Sequence, residues 1–541
     1  MDTATLAYRP ADTATPLLEQ TVGDALRAAA AAAPDRVALL EAGPGGRRAV
    51  TYAELLAGGE QVARALLARF RPGEHVAVWA GNGLEWVLLE YGAGLAGLVL
   101  VTVNPAYQAA ELEYVLRTSH SVGLFHMAQF RGNPMTATVE SVRPALADLR
   151  EVVSFADWAE FVAGGADTAL PPVTPNDDVQ IQYTSGTTGF PKGVLLHHRG
   201  LVNNAHLSMG RMDVRAGDVL VWPMPLFHTA GCGLGVLGAA SVGATLVLLA
   251  QFDPGLQLAL IESERATHSG GVPTMLIAML NHPDAGVRDL SSLRVVASGG
   301  APVPAELAQE WERRFDARFS IMFGTTECSP IISFTRLDDP PAIRTGTLGT
   351  PLPHTEVKIA DVVDGQPVPV GTVGELCARG YLVMHGYFDD PAATAAVLDA
   401  DGWYHTGDLA SMDADGCLRV EGRLKDVIIR GGENIYPREI EDVLFRHPAV
   451  ARSPWWAGRI RPGARRWRRS SGVPPTPPRP TCTPTAGPTS RPTRRPPPGS
   501  SSTRSRSRRR ARSARMCCAT PCPPVSRTIR RGELADPTPR S

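Results

Sequence analysis

Lysine is absent from this 541-residue chain after Lys425, and acidic residues nearly vanish after position 452. Ser453 to Ser541 holds 21 Arg against Glu533 and Asp536 alone. That tail carries +19. The rest, with 33 Lys and Arg against 52 Asp and Glu, carries −19, so a formal net charge of zero hides two unlike compositions. Zinc-ligand spacing and a disulfide framework are missing too. Of eight cysteines, Cys232, Cys328, Cys377 and Cys417 stand singly in the body, and Cys517, Cys518 and Cys522 near the end have no matching His or Cys group. A reducing, cytoplasmic setting is expected. No basic segment followed by an apolar core opens the chain, so no signal peptide is expected. The most apolar stretch, Glu90 to Val103, is too short and glycine-rich to span a bilayer, which leaves peripheral membrane contact open. No internal repeat is present.

What is present is an alternation of helical and strand patterns over a length that calls for more than one domain. Thr21 to Ala33 reads as an alanine-rich helix. Tyr52 to Phe70 reads as an amphipathic one, with Leu55, Leu56, Val62, Leu66 and Leu67 on one side. Val76 to Trp79 is a strand, Gly83 to Ala96 a helix and Val99 to Val103 a strand. The same order recurs at Thr245 to Leu249, Pro254 to Glu264 and Leu293 to Ala297. It predicts parallel sheets covered by helices. From about Thr347 the texture changes to short strands, Glu356 to Ile359, Gly374 to Ala378 and Cys417 to Val420, between Gly, Asp and Pro turns.

The sharpest local signal is Tyr183-Thr184-Ser185-Gly186-Thr187-Thr188-Gly189-Phe190-Pro191-Lys192-Gly193, after a strand at Val179 to Gln182. Glycines let backbone N–H groups turn inward, hydroxyls donate to phosphate oxygens and Lys192 adds charge, which suits a loop that wraps phosphates. The spacing is not Walker A, because Gly193 follows Lys192 where Ser or Thr is required. An ordinary flexible Gly/Thr loop is the plain alternative.

Over about residues 15 to 452 the chain resembles the adenylate-forming superfamily of acyl-CoA synthetases, luciferases and peptide-synthetase adenylation domains. The Tyr183 to Gly193 loop resembles its phosphate-binding motif. Phe323-Gly324-Thr325-Thr326-Glu327 resembles its aromatic-Gly-x-Thr-Glu motif, and Trp403-Tyr404-His405-Thr406-Gly407-Asp408 its Thr-Gly-Asp motif. Gly422-Arg423-Leu424-Lys425-Asp426 through Gly432-Glu433-Asn434-Ile435-Tyr436-Pro437-Arg438-Glu439 resembles its hinge and the segment after the hinge. The resemblance implies an α/β fold. A large N-terminal domain, 1–422, would hold two helix-covered sheets and a β-rich subdomain at about 347–422. A small α+β domain would start at 423 and break off at 452, with a helix after Pro437 through Glu439, Ile440, Val443 and Leu444. Residues 453–523, rich in Pro, Arg, Ser and Thr, bury too little apolar surface to fold, and 524–541 would be a C-terminal remnant.

The resemblance also implies roles. Thr184, Ser185, Gly186, Thr187, Thr188, Gly189 and Lys192 would bind the phosphates. Glu327 would hold Mg²⁺, and Thr326 would donate to the α-phosphate. Asp408 would accept from the ribose hydroxyls, and Arg423 would reach the ribose and phosphates. Gly299, Gly300, Ala301 and Pro302, after Ser298, would flank the adenine, and Phe323, Gly324 and Thr325 would also be nucleotide-binding. Phe227, His228 and Gly231 would line an acyl pocket, and the small residues from Gly231 to Gly243 would leave room for an alkyl chain. Lys425 would be the hinge and Gly432 would flank the coenzyme A tunnel. Single alternatives are that Glu327 is a surface carboxylate, Asp408 a turn residue and His228 a structural histidine. The reaction implied joins a fatty acid to ATP, giving acyl-AMP, and then to coenzyme A. The wording is most like medium- to long-chain enzymes.

The family's small domain ends in a Gly-Lys segment whose lysine serves adenylation, and no such lysine is here. A frameshift accounts for this. If Pro454 ends in G, Trp455-Trp456 shifted by one base reads Val-Val, and permitted codons continue to Ser470 as a strand, loop and strand. In the same frame Met516-Cys517-Cys518 contains Val-Leu, and from about Val525 the printed frame fits again, with Arg527-Thr528 in place of Gly-Lys. Two rivals stand beside an impaired ligase. One is a non-catalytic nucleotide- or acyl-binding protein with a basic tail, although no specific nucleic-acid binding is expected. The other is an adenylating enzyme that loads a carrier protein.

Overall fold

The computed structural model describes residues 5–43, 46–165, 167–184, 191–426, 428–430 and 433–435. The expected helix after Pro437, the small C-terminal domain beyond these residues and the arginine-rich tail lie outside them. The fold is α/β, as the alternation predicts.

A nine-stranded sheet has six parallel strands at its centre. These run in the order Arg318–Gly324, Val295–Ser298, His268–Gly270, Val219–Trp222, Thr245–Leu249 and Val37–Gly43. A seven-stranded sheet has a parallel centre of Asp178–Thr184, Val99–Val103, His75–Trp79, Gly123–His126 and Glu151–Ser154. Lys192–His197 and Gly386–Tyr387 add to it antiparallel. Alternate residues of one strand feed different cores. Leu220 and Trp222 join an apolar cluster shared with Val76, Val78 and Leu100 of the other sheet, whereas Val221 joins a second cluster with Val247 and Val296. Trp79, Val101 and Val103 join a third, on the far side of the seven-stranded sheet. With period-two side-chain alternation, this packs helices between the two sheets and on their outer faces.

The helix Leu84–Ala96 lies in the shared layer and is buried along its length. Gly83 is its N-cap, and Gly97, at φ +65°, ends it in a left-handed turn. The first two helices begin in capping boxes, Thr21 with Asp24 and Thr51 with Glu54, so they run Val22–Ala32 and Tyr52–Leu67. The strand expected at Leu293 starts at Val295. Strand Val99–Val103 is buried on both faces, as a central parallel strand must be.

The third sheet is antiparallel throughout: Tyr8–Arg9, Thr355–Ala360, Gly374–Gly380, Tyr404–Met412 and Leu418–Arg423. Its last strand continues to Arg423, across the expected 422/423 boundary, because Arg423 pairs with Asp408 in register. The Thr-Gly-Asp motif sits inside a strand, so Asp408 is a sheet residue and not a turn residue. The glycine-rich run after Gly231 is helical, through Cys232–Leu237 and Gly238–Val242.

Candidate active site

Parallel strands leave their carboxyl ends together, and open α/β sheets bind ligands there. Val219–Trp222, His268–Gly270, Val295–Ser298 and Arg318–Gly324 deliver Trp222, Gly271, Gly299, Gly300, Gly324, Thr325 and Thr326 to one cavity of about 760 Å³. The seven-stranded sheet adds Thr184 and Lys192, opposite one another in antiparallel register. The five-stranded sheet adds Glu375, His405, Thr406, Gly407, Asp408 and Arg423. Ends of three sheets therefore enclose a space of the size expected for a small ligand.

Glu327 follows the strand Arg318–Gly324 in a short helical turn and is only 9% exposed, so it is not a surface carboxylate. The Tyr387 hydroxyl donates to Glu327 Oε1 at 2.8 Å. Lys192 Nζ stands 4.7 Å from the centre of the same tyrosine ring. Burial first, then the Glu327 charge, pushes the Tyr387 phenol far up, so it remains a donor at physiological pH. Gly324 cannot carry a side chain: a Cβ there would fall 1.9 Å from the Pro330 carbonyl oxygen.

On the opposite wall, Asp408 is buried and accepts from Arg423 Nε at 3.0 Å. Burial raises its carboxyl above the ordinary aspartate value, and Arg423 opposes that rise. The two strand residues before Asp408 are held by Gly407 N–H on Glu375 Oε1 at 3.0 Å and by the Thr406 hydroxyl on the Leu376 carbonyl at 2.7 Å.

His228 lines the cavity, with its ring packed on Phe227 at a centroid distance of 4.1 Å. Desolvation by the surrounding protein lowers its pKa, although the ring faces the cavity space. Gly231 does not line the cavity. Its missing Cβ would lie 2.2 Å from the Pro225 carbonyl oxygen, so the glycine serves a backbone close approach and not room for an alkyl chain. Phe227, Ala301, Pro302 and Phe323 are also off the cavity wall, while Lys425 is on it. Ser185, Gly186, Thr187, Thr188, Gly189 and Gly432 lie outside the described residues. Sequence reasoning assigned no role to Tyr387, Glu375 or His405. Tyr387 reaches Glu327 only because Gly386–Tyr387 pairs with Leu195 and Val194 across the chain, and no local pattern signals that.

A pocket at the carboxyl ends of parallel strands, walled by a hydroxyl- and lysine-bearing hairpin, a Thr-Glu turn and an Asp-Arg pair, defines an enzyme class that handles nucleotides. The model of the AMP-binding enzyme family matches residues 26–388, and the chain belongs to that family. YngI of Bacillus subtilis (strain 168), provisionally named an acyl-CoA synthetase, is 41% identical over 464 residues, covering 80% of this chain and 84% of its own. The mitochondrial medium-chain acyl-CoA ligase ACSF2 of Rattus norvegicus is 36% identical over 480 residues, covering 82% and 78%. Among solved structures, the anthranilate CoA ligase AuaEII in complex with anthranoyl-AMP aligns with TM-score 0.73 at 27% identity, covering 80% and 83%. A Mycobacterium tuberculosis fatty acyl CoA synthetase aligns with TM-score 0.69 at 30% identity, covering 79% and 83%. An AMP-forming acid–CoA ligase is the activity this kinship supports. Among the described residues, no helix is long and apolar enough to cross a membrane.

Proposed function

We propose that the chain is built to activate a fatty acid with ATP and pass the acyl group to coenzyme A. Thr184 and Lys192 meet the phosphates, and Thr326 donates to the α-phosphate. Asp408 accepts from the ribose, with Arg423 beside it. The acid's carboxylate oxygen attacks the α-phosphorus and pyrophosphate leaves. A thiol then attacks the acyl carbon and AMP leaves. Donors aimed at the phosphates stabilise charge that develops in the first step. Glu327 suits Mg²⁺, because that ion takes one or two carboxylates and completes its shell with phosphates and water. Bound there, it would neutralise phosphate charge, and Tyr387 orients the carboxylate that holds it. His228, largely neutral, faces the acid. Chain length, a cytoplasmic location consistent with four buried free thiols, and peripheral membrane contact belong to this proposal. So do a large domain over 1–422 and a small one from 423, with Lys425 as the hinge.

One observation carries the reading. Lys192, Glu327 and Asp408, on three separate sheets or their ends, line one cavity. The missing lysine after Lys425 favours a second clause: the chain as written binds nucleotide yet adenylates poorly. Acid-dependent ATP–pyrophosphate exchange tests both, run on this chain and on one with the frame restored between codons 452 and 526 and carrying Thr528→Lys to supply the missing lysine, over a panel of fatty acids. Exchange by the restored chain is expected, weak or absent in the chain as written. Exchange in neither, with any acid, sinks the ligase reading. Equal exchange in both sinks the clause on impairment.

A further inference from the structure

Behind the nucleotide wall lies a second cluster of donors. The strands Gly374–Gly380 and Tyr404–Met412 pair antiparallel, with Cys377 opposite His405. Glu375 lies two residues before Cys377, so its side chain shares that face. His405 Nδ1 lies 2.8 Å from Glu375 Oε2 and 3.5 Å from Cys377 Sγ. One donor atom from each of the three residues falls within 4.8 Å of the others. Tetrahedral ligands of zinc, with bonds of about 2.0–2.3 Å, stand roughly 3.5 Å from one another, so small side-chain shifts complete the geometry.

We propose that Glu375, Cys377 and His405 form a binding site for one soft divalent cation of the zinc class. Three further features support it. His405 Nε2 faces Asp399 Oδ2 at 3.5 Å, which places a carboxylate behind the ligating ring where metal sites keep one to orient the histidine. Asp399 is itself fixed, accepting on Oδ1 from the Asp401 and Trp403 N–H groups at 3.0 and 2.8 Å. Entry is open, because Glu375 and His405 line the cleft, while Cys377 is fully buried behind them. The donor set of thiolate, imidazole and carboxylate selects borderline and soft ions over Mg²⁺ and Ca²⁺.

The site is separate from the Mg²⁺ position proposed at Glu327. It adjoins the nucleotide wall, because the other Glu375 oxygen holds Gly407 N–H.

Cadmium serves as the probe, since its thiolate complexes absorb in the ultraviolet. The full chain is used with Cys482, Cys517, Cys518 and Cys522 changed to Ser, which removes the tail thiols. One equivalent bound with a thiolate band is expected, displaced by zinc and unaffected by excess Mg²⁺. Cys377→Ala abolishes the band, and Asp399→Asn weakens binding roughly tenfold or more. Metal-free thermal unfolding checks that Cys377→Ala folds. If it does not, His405→Gln, which removes one of three ligands, must weaken binding by at least tenfold. No band at all, a band that survives in folded Cys377→Ala, or full affinity in His405→Gln overturns the proposal, leaving a hydrogen-bonded cluster with no ion.

Discussion

Arg423 donates from Nε to Asp408 Oδ1 across a 3.0 Å gap, yet the two residues live in different media: the aspartate is 5% exposed, and the arginine side chain is 58% exposed. The pair therefore does not behave like a buried ion pair. Most of the desolvation cost falls on Asp408, and its solvated partner repays only part of it. A folded-state pKa raised above the unfolded one means that the native chain holds this proton more tightly. Stability on this account falls as pH rises through the window between the ordinary aspartate value and the raised one.

Asp408→Asn removes that cost. At pH 7 its melting temperature should equal or exceed that of the parent, while ATP affinity drops by about tenfold or more, because an amide offers one acceptor where the carboxylate offers two. Calorimetric titration with ATP and a thermal melt on the same sample separate the two effects. Loss of both affinity and stability would show that the carboxylate was placed there for the fold.

Tyr387 and Glu327 predict a graded pair. Hydrogen bonds to charged groups are worth roughly 1.5–3 kcal/mol, or about ten- to a hundredfold in rate. In the frame-restored chain, Tyr387→Phe should lower pyrophosphate exchange within that range and raise the magnesium concentration needed for half-maximal rate. Glu327→Gln should cost more, because it removes the charge itself. A Tyr387→Phe chain with parental magnesium dependence would detach the tyrosine from the proposed metal role.

Glycine at 324 is set by contact, not by flexibility. Gly324→Ala would drive a Cβ into the Pro330 backbone and should lower stability and activity together. Gly210, in the helix His198–Arg211, has nothing within 4 Å of its missing Cβ, so Gly210→Ala should stabilise by about 0.5–1 kcal/mol through the unfolded chain. Denaturant unfolding of both variants gives the comparison, and a neutral Gly324→Ala would contradict the close approach.

Those contrasts show what the sequence could and could not convey. The alternation of strand and helix segments foretold the parallel sheets, and two of those segments, Val99–Val103 and Leu84–Ala96, are buried along their length as elements between helix layers must be. Thr184, Lys192, Thr326, Glu327, Asp408 and Arg423 were legible as motifs and meet in one cavity. Tyr387 was not, since its contact with Glu327 spans 60 residues and depends on an edge pairing with a third segment. Gly231 was misread for a related reason. A small residue looks the same in a sequence whether it leaves space for a ligand or for a neighbouring carbonyl. The Glu375–Cys377–His405 cluster has no spacing signal, because strand register and not sequence interval brings it together.

Glu90 gives the last prediction. It is 1% exposed on the helix Leu84–Ala96, and it begins a chain of amides that ends at the cavity. Gln180 Nε2 donates to Glu90 Oε1 at 2.8 Å, Gln182 Nε2 to Gln180 Oε1 at 2.8 Å, and Thr229 N–H to Gln182 Oε1 at 2.9 Å. Burial raises the Glu90 carboxyl from 4.5 to about 8, against a smaller opposing effect from Gln180. Between those values the native chain binds a proton that the unfolded chain has lost. Each pH unit in that window then costs about 1.4 kcal/mol, roughly 3 kcal/mol by pH 7, and the slope vanishes above pH 8. Glu90→Gln keeps the acceptor for Gln180 and carries no proton to lose. It should therefore gain stability over the parent at pH 8 by roughly 3–4 kcal/mol more than at pH 5, measured by urea unfolding at both. An equal gain at the two pH values would mean that the carboxyl is ionised in the native chain and that the amide relay to Thr229 is anchored by charge.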